Sequence, residues 1–233
     1  MRFVTLSLSL AILIIGAAQA SECVVLVHGL GRSHYSMAVL GRSLASHGYV
    51  IVNRGYPSTA QTIEKSAAII GQDIATCRAE KATPINFVSH SLGGIVLRQY
   101  FQDHEIPDAG RVVMLAPPNH GSEIVDHLKN VWRYQRVTGP AGQELGTDPN
   151  SLPNRLRPIR LQIGVIAGAR SIQPWFTTYF HSPNDGDVSV SSARLQEMTD
   201  FITVGTSHTF MMNSAEVQAQ TEMFLAQGRF SHH

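Results

Sequence analysis

The stretch Ile85-Asn86-Phe87-Val88-Ser89-His90-Ser91-Leu92-Gly93-Gly94 decides the fold of this 233-residue chain. It begins with the apolar pattern of a buried strand and passes, after Ser91, into a helical pattern. A serine on a tight turn between a strand and a helix exposes its hydroxyl at the carboxyl end of the sheet, and small neighbours let the two backbones approach. Ser91 is therefore a candidate nucleophile. The alternative is chance, because Ser-x-Gly tripeptides occur in many chains.

Strand and helix patterns alternate on both sides of this turn. Short apolar runs rich in Val and Ile predict six strands, at 24–27, 49–52, 85–88, 111–115, 161–167 and 201–204. Helical patterns lie near 35–47, 61–79, 92–103, 189–198 and 213–227, and Ser58-x-x-Gln61 matches a capping box at the start of the second helix. Such alternation predicts an α/β fold with a mainly parallel sheet and helices on both faces.

The segment 117–158 departs from this alternation. It contains ten Pro and Gly residues and the pattern of at most one short helix, near 122–136. Long connections inside a compact domain are usually functional loops or lids, so we expect a lid-like insertion here, with an inert surface covering as the alternative. Because the segment leaves the sheet at the edge where Ser91 is expected, Trp132 and Tyr134 are predicted to form an apolar wall beside the substrate.

The first twenty residues are predicted to be a signal peptide, 1–20. Arg2 supplies a positive charge, residues 6–15 are almost wholly apolar, and Ala18-Gln19-Ala20 is the small-x-small pattern of a cleavage site. The apolar run is short for a membrane span, although an uncleaved anchor is the alternative. We expect one mature domain over 21–233, exported to the periplasm or secreted, with no stable membrane span.

Composition and residue spacing argue against several function classes. Removing Arg2 from the 18 basic residues leaves 17, which balance the 17 acidic ones, and no run of charge favours nucleic acid as a partner. The spacing of His, Asp, Glu and Cys predicts no metal site, and no cofactor is expected. Oligomeric state is not indicated by the sequence.

A serine nucleophile needs a base, and eleven histidines are available. His208 is the strongest candidate because it follows the last predicted strand, which brings its loop to the same edge of the sheet as Ser91. His90 adjoins the nucleophile and is expected to point away from it. The alternative for His208 is a purely structural histidine.

An acid that orients the base is expected between Ser91 and His208. Asp185 and Asp187 both lie in the turn 182–188, after the fifth predicted strand. We favour Asp185, which precedes a glycine at the tip of the turn, whereas Asp187 begins the next segment and could cap its helix. The alternative is that both are turn-forming residues.

The glycine-rich turn His28-Gly29-Leu30-Gly31 follows the first predicted strand. The backbone N–H groups of Leu30 and Leu92 are predicted to form an oxyanion hole at the carboxyl edge of the sheet. His28 itself is expected to brace the loop rather than to take part in catalysis.

In this order, the motifs at 28–31, 89–94, 184–188 and 207–212 resemble those of the α/β-hydrolase superfamily, specifically its small bacterial lipases and esterases. Pro117-Pro118-Asn119-His120-Gly121-Ser122 is similar to the segment that opens the lid region of those lipases. The resemblance covers about 24–227 and implies a triad of Ser91, Asp185 and His208, with Leu30 and Leu92 donating to the oxyanion. Two departures are that Ser89 replaces the usual first glycine and that the first strand pair is lacking, which implies about six strands.

Three functions are compatible with these residues. The leading interpretation is hydrolysis of a small-molecule or lipid ester through an acyl-enzyme, and the second is acyl transfer by the same triad. The third is a non-catalytic binding module, which has no need of an intact Ser, Asp and His. Residues that could line an acyl pocket are Leu30, Leu92, Trp132, Tyr134, Trp175, Phe176, Phe180 and Phe210.

The two cysteines, Cys23 and Cys77, are predicted to form a disulfide, since both belong to the mature part of an exported chain. Cys23 begins the first predicted strand and Cys77 ends the helix before the strand at 85–88. Two buried free thiols are the alternative.

Overall fold

The computed structural model describes residues 21–232, so the predicted signal peptide lies outside the described residues. The strands are β1 Cys23–Val27, β2 Val50–Val52, β3 Ile85–His90, β4 Ala109–Leu115, β5 Gln162–Gly168 and β6 Asp200–Val204. The α-helices are α1 Ala38–Ser46, α2 Ile63–Ala79, α3 Leu92–Tyr100, α4 Glu123–Leu128, α5 Trp132–Gln143, α6 Leu152–Arg155, α7 Val190–Ala193 and α8 Ala215–Gln227. Short 3₁₀ helices span His34–Met37, Pro174–Tyr179 and His208–Asn213.

The six strands form one parallel sheet in the order β2-β1-β3-β4-β5-β6. Alternate residues of β1 enter two separate cores: Val25 packs on the face covered by α2 and α3, and Leu26 packs on the face covered by α1 and α8. Burial on both faces explains the continuous apolar runs of the strands. The predicted α/β-hydrolase fold, with a six-stranded parallel sheet and helices on both faces, is confirmed; within residues 21–232, β1 is the first strand.

All six predicted strands are present, and their ends differ from prediction by no more than two residues. The helices were predicted less well. The helix expected over 189–198 is limited to α7, where Ser189 accepts a hydrogen bond from the N–H of Ser192. The capping box at Ser58 is wrong, because Thr62 caps α2 by accepting from the N–H of Lys65.

The 117–158 segment is more helical than predicted, since it contains α4, α5 and α6 instead of at most one short helix. Its Pro and Gly residues mark kinks and helix starts. Gly139, with φ 61°, breaks α5 just before Pro140, and Pro153 lies in the first turn of α6. A side chain at Gly139 would overlap the backbone of Thr59, so the kink also lets α5 pack closely on the chain before α2.

Both ends of this segment are tied to α3 by one buried arginine. The Arg98 guanidinium donates to the carbonyl oxygen of Asn119 at 3.1 Å and to the carbonyl oxygen of Leu156 at 3.2 Å. Asn119 is itself buried and donates from Nδ2 to the carbonyl of Ala193 at 2.8 Å. The segment is therefore fixed to the body of the molecule at the points where it leaves and rejoins it.

Cys23 and Cys77 form a disulfide with a Cα–Cα distance of 5.8 Å, as the sequence predicted. It links the start of β1 to the last turns of α2. Over residues 21–232, none of the helices is both long and apolar enough to cross a membrane.

Candidate active site

Ser91 lies between β3 and α3 with φ 53° and ψ −124°, a conformation that side chains other than glycine rarely adopt. Two contacts maintain it. The Ser91 N–H donates to the carbonyl of Leu115 at 2.9 Å, and Gly93 brings α3 so close to β1 that a side chain there would overlap the Val27 carbonyl. This sharp turn directs the Ser91 hydroxyl out of the carboxyl edge of the sheet.

His208 contacts that hydroxyl directly. Its Nε2 lies 2.9 Å from Ser91 Oγ, a hydrogen-bond distance suited to proton transfer. The residue begins the 3₁₀ helix after β6, and its backbone N–H donates to the Asp185 carbonyl at 3.1 Å. The structure thus brings together the candidate nucleophile and the candidate base, which are 117 residues apart in sequence.

Asp185 is buried, and its Oδ2 accepts a 2.8 Å hydrogen bond from His208 Nδ1. Its other oxygen, Oδ1, accepts from the N–H groups of Asp187 at 3.0 Å and Val188 at 2.8 Å. Gly186, with φ 109°, makes this tight turn. Both oxygens of the Asp185 carboxylate therefore accept hydrogen bonds, and the bond to Nδ1 orients His208 with Nε2 toward Ser91.

Asp187, the alternative acid, lies on the opposite side of the imidazole. Its Oδ2 is 4.0 Å from His208 Nε2, the nitrogen that contacts Ser91, and its side chain is 39% exposed. Its Oδ1 accepts a long hydrogen bond of 3.5 Å from Gln173 Nε2. The expected capping role falls to Ser189 instead.

The charges around His208 favour its protonated form. Burial is the largest single effect and alone would lower the pKa of the imidazole, but the charge and hydrogen bond of Asp185 and the charge of Asp187 together outweigh it. Together these groups raise the pKa of His208 to about 9, against the opposing charge of Arg32. Asp185 is thus able to stabilise the imidazolium that forms when His208 accepts a proton.

Two other histidines brace the loops of the site. His28 Nε2 accepts from the N–H of Tyr56 at 3.2 Å and its ring stacks on the Tyr56 ring at 4.3 Å, while burial lowers the His28 pKa. His90 is buried, and its Nε2 donates to the His208 carbonyl at 3.0 Å. His90 therefore contacts the loop of the candidate base, a role that its position next to Ser91 did not predict.

Leu92 directly follows Ser91, and Leu30 lines the same cavity as Ser91. Leu92 is the first residue of α3, where a backbone N–H has no partner within its own helix. The Leu30 loop is fixed by the N–H of Gly31, which donates to Ser58 Oγ at 3.1 Å. Ser58 thus stabilises this loop instead of capping α2.

A cavity of about 200 Å³ opens beside Ser91 and His208. The 117–158 segment supplies its apolar wall, which comprises Pro118, Ile124, Val125, Tyr134, Thr138 and Leu145. Leu30 also lines it, but the other predicted aromatic residues do not: Trp132, Trp175 and Phe210 are more than half exposed, and Phe180 is buried elsewhere. Tyr134 is therefore part of the wall that was predicted, and Trp132 is not.

Arg32 is a lining residue that the sequence did not single out. It follows the glycine-rich turn, and its guanidinium donates to Thr209 Oγ1, next to His208, at 3.3 Å. The sequence feature that could have identified Arg32 is its position directly after the glycine-rich turn. Over the described residues, no group of three or more His, Cys, Asp or Glu side chains is arranged to hold a metal ion.

Comparisons with solved structures find proteins with a similar fold. A mature lipase from Bacillus licheniformis, BlEst2, is 18% identical with a TM-score of 0.71, over 92% of this chain and 95% of that one. A metagenomic carboxyl esterase, MGS0156, is 20% identical with a TM-score of 0.64, over 83% and 66% of the two chains. Phospholipase PlaB from Legionella pneumophila is 15% identical with a TM-score of 0.61, and this chain covers 45% of it.

A search of curated proteins gave no match. The model of the alpha/beta hydrolase family matches residues 24–220, which include Ser91, Asp185 and His208. The protein therefore belongs to the alpha/beta hydrolase family.

Proposed function

We propose that the protein is a serine hydrolase that cleaves carboxylic esters through an acyl-enzyme intermediate. The observation that carries the proposal is the continuous hydrogen-bonded chain from Ser91 Oγ through His208 to Asp185, at the mouth of a cavity with an apolar wall. A nucleophile, a base in contact with it and a buried acid behind the base are the parts that acyl transfer to serine requires.

Each group has a defined part in the reaction. Ser91 Oγ attacks the ester carbonyl while His208 Nε2 takes the hydroxyl proton, and the carbonyl oxygen becomes an oxyanion facing the N–H groups of Leu30 and Leu92. His208 then gives that proton to the departing alcohol, which leaves an acyl group on Ser91. Water, deprotonated by His208, attacks the acyl carbon; the bond between that carbon and Ser91 Oγ breaks, His208 returns the proton to Oγ, and the acid is released.

The comparisons and the cysteines support the remaining parts of the proposal. The similar structures include proteins described as a lipase and a carboxyl esterase, which favours esters over other acyl compounds. The disulfide between Cys23 and Cys77 is typical of oxidising compartments, which favours export to the periplasm or the medium.

Covalent labelling by a fluorophosphonate tests the nucleophile. The wild-type protein is expected to be labelled at Ser91, and Ser91→Ala should lose labelling and on the order of 10⁴-fold or more in ester hydrolysis, with an unchanged fold. Circular dichroism of the variant is the control for folding. Undiminished labelling of the alanine variant would contradict the proposal.

A pair of amide substitutions tests which carboxylate orients the base. Asp185→Asn should cost about 10⁴-fold in kcat, because the amide cannot hold the correct tautomer of His208. Asp187→Asn should cost about tenfold or less, since this side chain does not bond to Nδ1. The reverse order would assign the orienting role to Asp187.

A further inference from the structure

We infer that Asp187 selects the alcohol part of the substrate, favouring esters whose alcohol carries a positive charge over neutral and anionic ones. This inference rests on the proposed ester hydrolysis and names a substrate class for the same cavity. Asp187 is not needed to orient His208, because Asp185 already engages Nδ1. Its carboxylate is therefore available to a ligand.

The position of Asp187 relative to the reacting atoms supports this role. Its Oδ2 is 4.0 Å from His208 Nε2, which is 2.9 Å from Ser91 Oγ, so the carboxylate oxygen lies within about 7 Å of the nucleophile. The departing alcohol takes its proton from Nε2 and must come within hydrogen-bond distance of that nitrogen. An ammonium group two carbons along the alcohol then falls within ion-pair reach of Asp187.

The ionic partner of the carboxylate is His208, which is neutral in the form that accepts the serine proton, so the carboxylate can then bind a cation. Within the described part of the chain, Asp187 has no Lys or Arg partner, and its one side-chain hydrogen bond is the 3.5 Å contact with Gln173. Tyr134 lines the same cavity, and its pKa is raised to about 12 by burial and by the charge of Asp187. An aromatic ring and a carboxylate that line one cavity can each attract a cation.

Besides His208, the positive side chain that lines the same cavity is Arg32, which acts in the opposite sense. Arg32 lines the opening, but it is exposed and its guanidinium already donates to Thr209 Oγ1. Water screens exposed charges more strongly than partly buried ones. The carboxylate next to Nε2 therefore dominates selection of the alcohol, and removal of Arg32 should strengthen that selection.

Hydrolysis of three butyrate esters tests the inference. The alcohols are choline, its uncharged isostere in which a tert-butyl group replaces the trimethylammonium group, and an alcohol of similar length that ends in a sulfonate. For the wild type, kcat/KM should be about fivefold higher for the choline ester than for the neutral one, and lower again for the sulfonate. The ratio of kcat/KM values for two esters is compared within each variant. A change in the basicity of His208 affects both esters and therefore cancels in this ratio.

Three variants separate the charge of Asp187 from other effects. In Asp187→Asn, the kcat/KM values for the three esters should become similar. Asp103→Asn makes the same charge change at an exposed site past the end of α3, remote from the cavity, and should keep the wild-type ratio. Arg32→Gln should raise the ratio. A wild type without preference for the cationic ester, or a preference that survives in Asp187→Asn, overturns the inference.

A binding measurement distinguishes failure of this inference from failure of the proposed function. If no ester is cleaved and no fluorophosphonate labels Ser91, the proposed function fails. Ligand-observed NMR then compares the binding of choline with that of the neutral alcohol, which measures the same selection without catalysis. Choline binding that is lost in Asp187→Asn supports the role of Asp187, and equal binding of both alcohols contradicts it.

Discussion

At the scale of single residues, the proposed chemistry depends on Ser91 and on the residues that contact it. The unusual backbone conformation of Ser91 stores strain of about 1–3 kcal/mol, which surrounding contacts have to offset. The hydrogen bond from Ser91 N–H to Leu115 and the close packing of Gly93 on Val27 supply such contacts. A strained serine persists here because β1, β3 and α3 fix its neighbours.

The pKa of His208 leads to a prediction about pH. An unperturbed histidine titrates at about 6.5, whereas the carboxylates near His208 raise its pKa to about 9. Only the neutral imidazole can accept the serine proton, so kcat/KM should rise about tenfold per pH unit below the midpoint and level off above it. A pH profile of kcat/KM with a neutral ester should therefore have its midpoint on the alkaline side of neutrality.

The variant Asp187→Asn tests whether the charge of Asp187 contributes to the midpoint of this pH profile. Removing a negative charge near Nε2 destabilises the imidazolium, so the midpoint should move to lower pH. Asp103→Asn, remote from the imidazole, should leave the midpoint unchanged. A wild-type midpoint near that of free histidine would show that Asp185 and Asp187 do not act on His208 in this way.

Among the elements, the 117–158 segment determines the shape of the cavity. Leu145 is buried and contributes to the cavity wall, so Leu145→Ala should enlarge the space beside Ser91. Esters with longer acyl chains should then gain in kcat/KM relative to short ones, because the gain depends on the room available for the chain. A series of nitrophenyl esters of increasing acyl length measures this change.

Val137→Ala is the control for that series. Val137 lies on α5 in the same segment, but it is 72% exposed and does not line the cavity. Its substitution should leave chain-length preference as in the wild type. Equal preference in the wild type and in Leu145→Ala would mean that the apolar wall is not in contact with the acyl group.

The elements also show what a single sequence can and cannot predict. The six strands were predictable because burial on both faces makes them continuous apolar runs. The helices of the 117–158 segment were not, because Gly139 and Pro140 are indistinguishable in sequence from loop residues until Gly139 is seen packed against Thr59. Likewise, Ser58 has the spacing of a cap, but its hydroxyl bonds to Gly31.

The candidate site was predictable where topology determines position. Ser91, Asp185 and His208 each follow a strand of one parallel sheet, and such positions converge at its carboxyl edge. Contacts that depend on side-chain direction were not predictable. The hydrogen bond from His90 to the His208 carbonyl and the approach of Asp187 to Nε2 arise from the turns at 91 and 186, whose backbone angles the sequence does not specify.

At the scale of the whole molecule, the candidate site and the disulfide lie at opposite ends of the strands. Cys23 pairs in register with Ile85, at the start of β3, whereas Ser91 follows the end of that strand. At about 3.3 Å per residue, the disulfide is about 20 Å from the nucleophile. Changes to the disulfide should therefore affect the stability of the fold and leave the geometry of the site intact.

The double variant Cys23→Ser, Cys77→Ser tests this separation. The disulfide closes a loop with a sequence separation of 54 residues, and its loss should lower the free energy of unfolding by up to about 4 kcal/mol through the entropy of the unfolded chain. Urea denaturation measures the loss, and kcat/KM below the unfolding transition should stay within about twofold of the wild type, as expected for a substitution remote from the site. Reductant should shift the urea denaturation curve of the wild type to that of the double variant and should leave the curve of the variant unchanged. Two titratable thiols in unfolded, unreduced wild-type protein would show instead that the bond does not form.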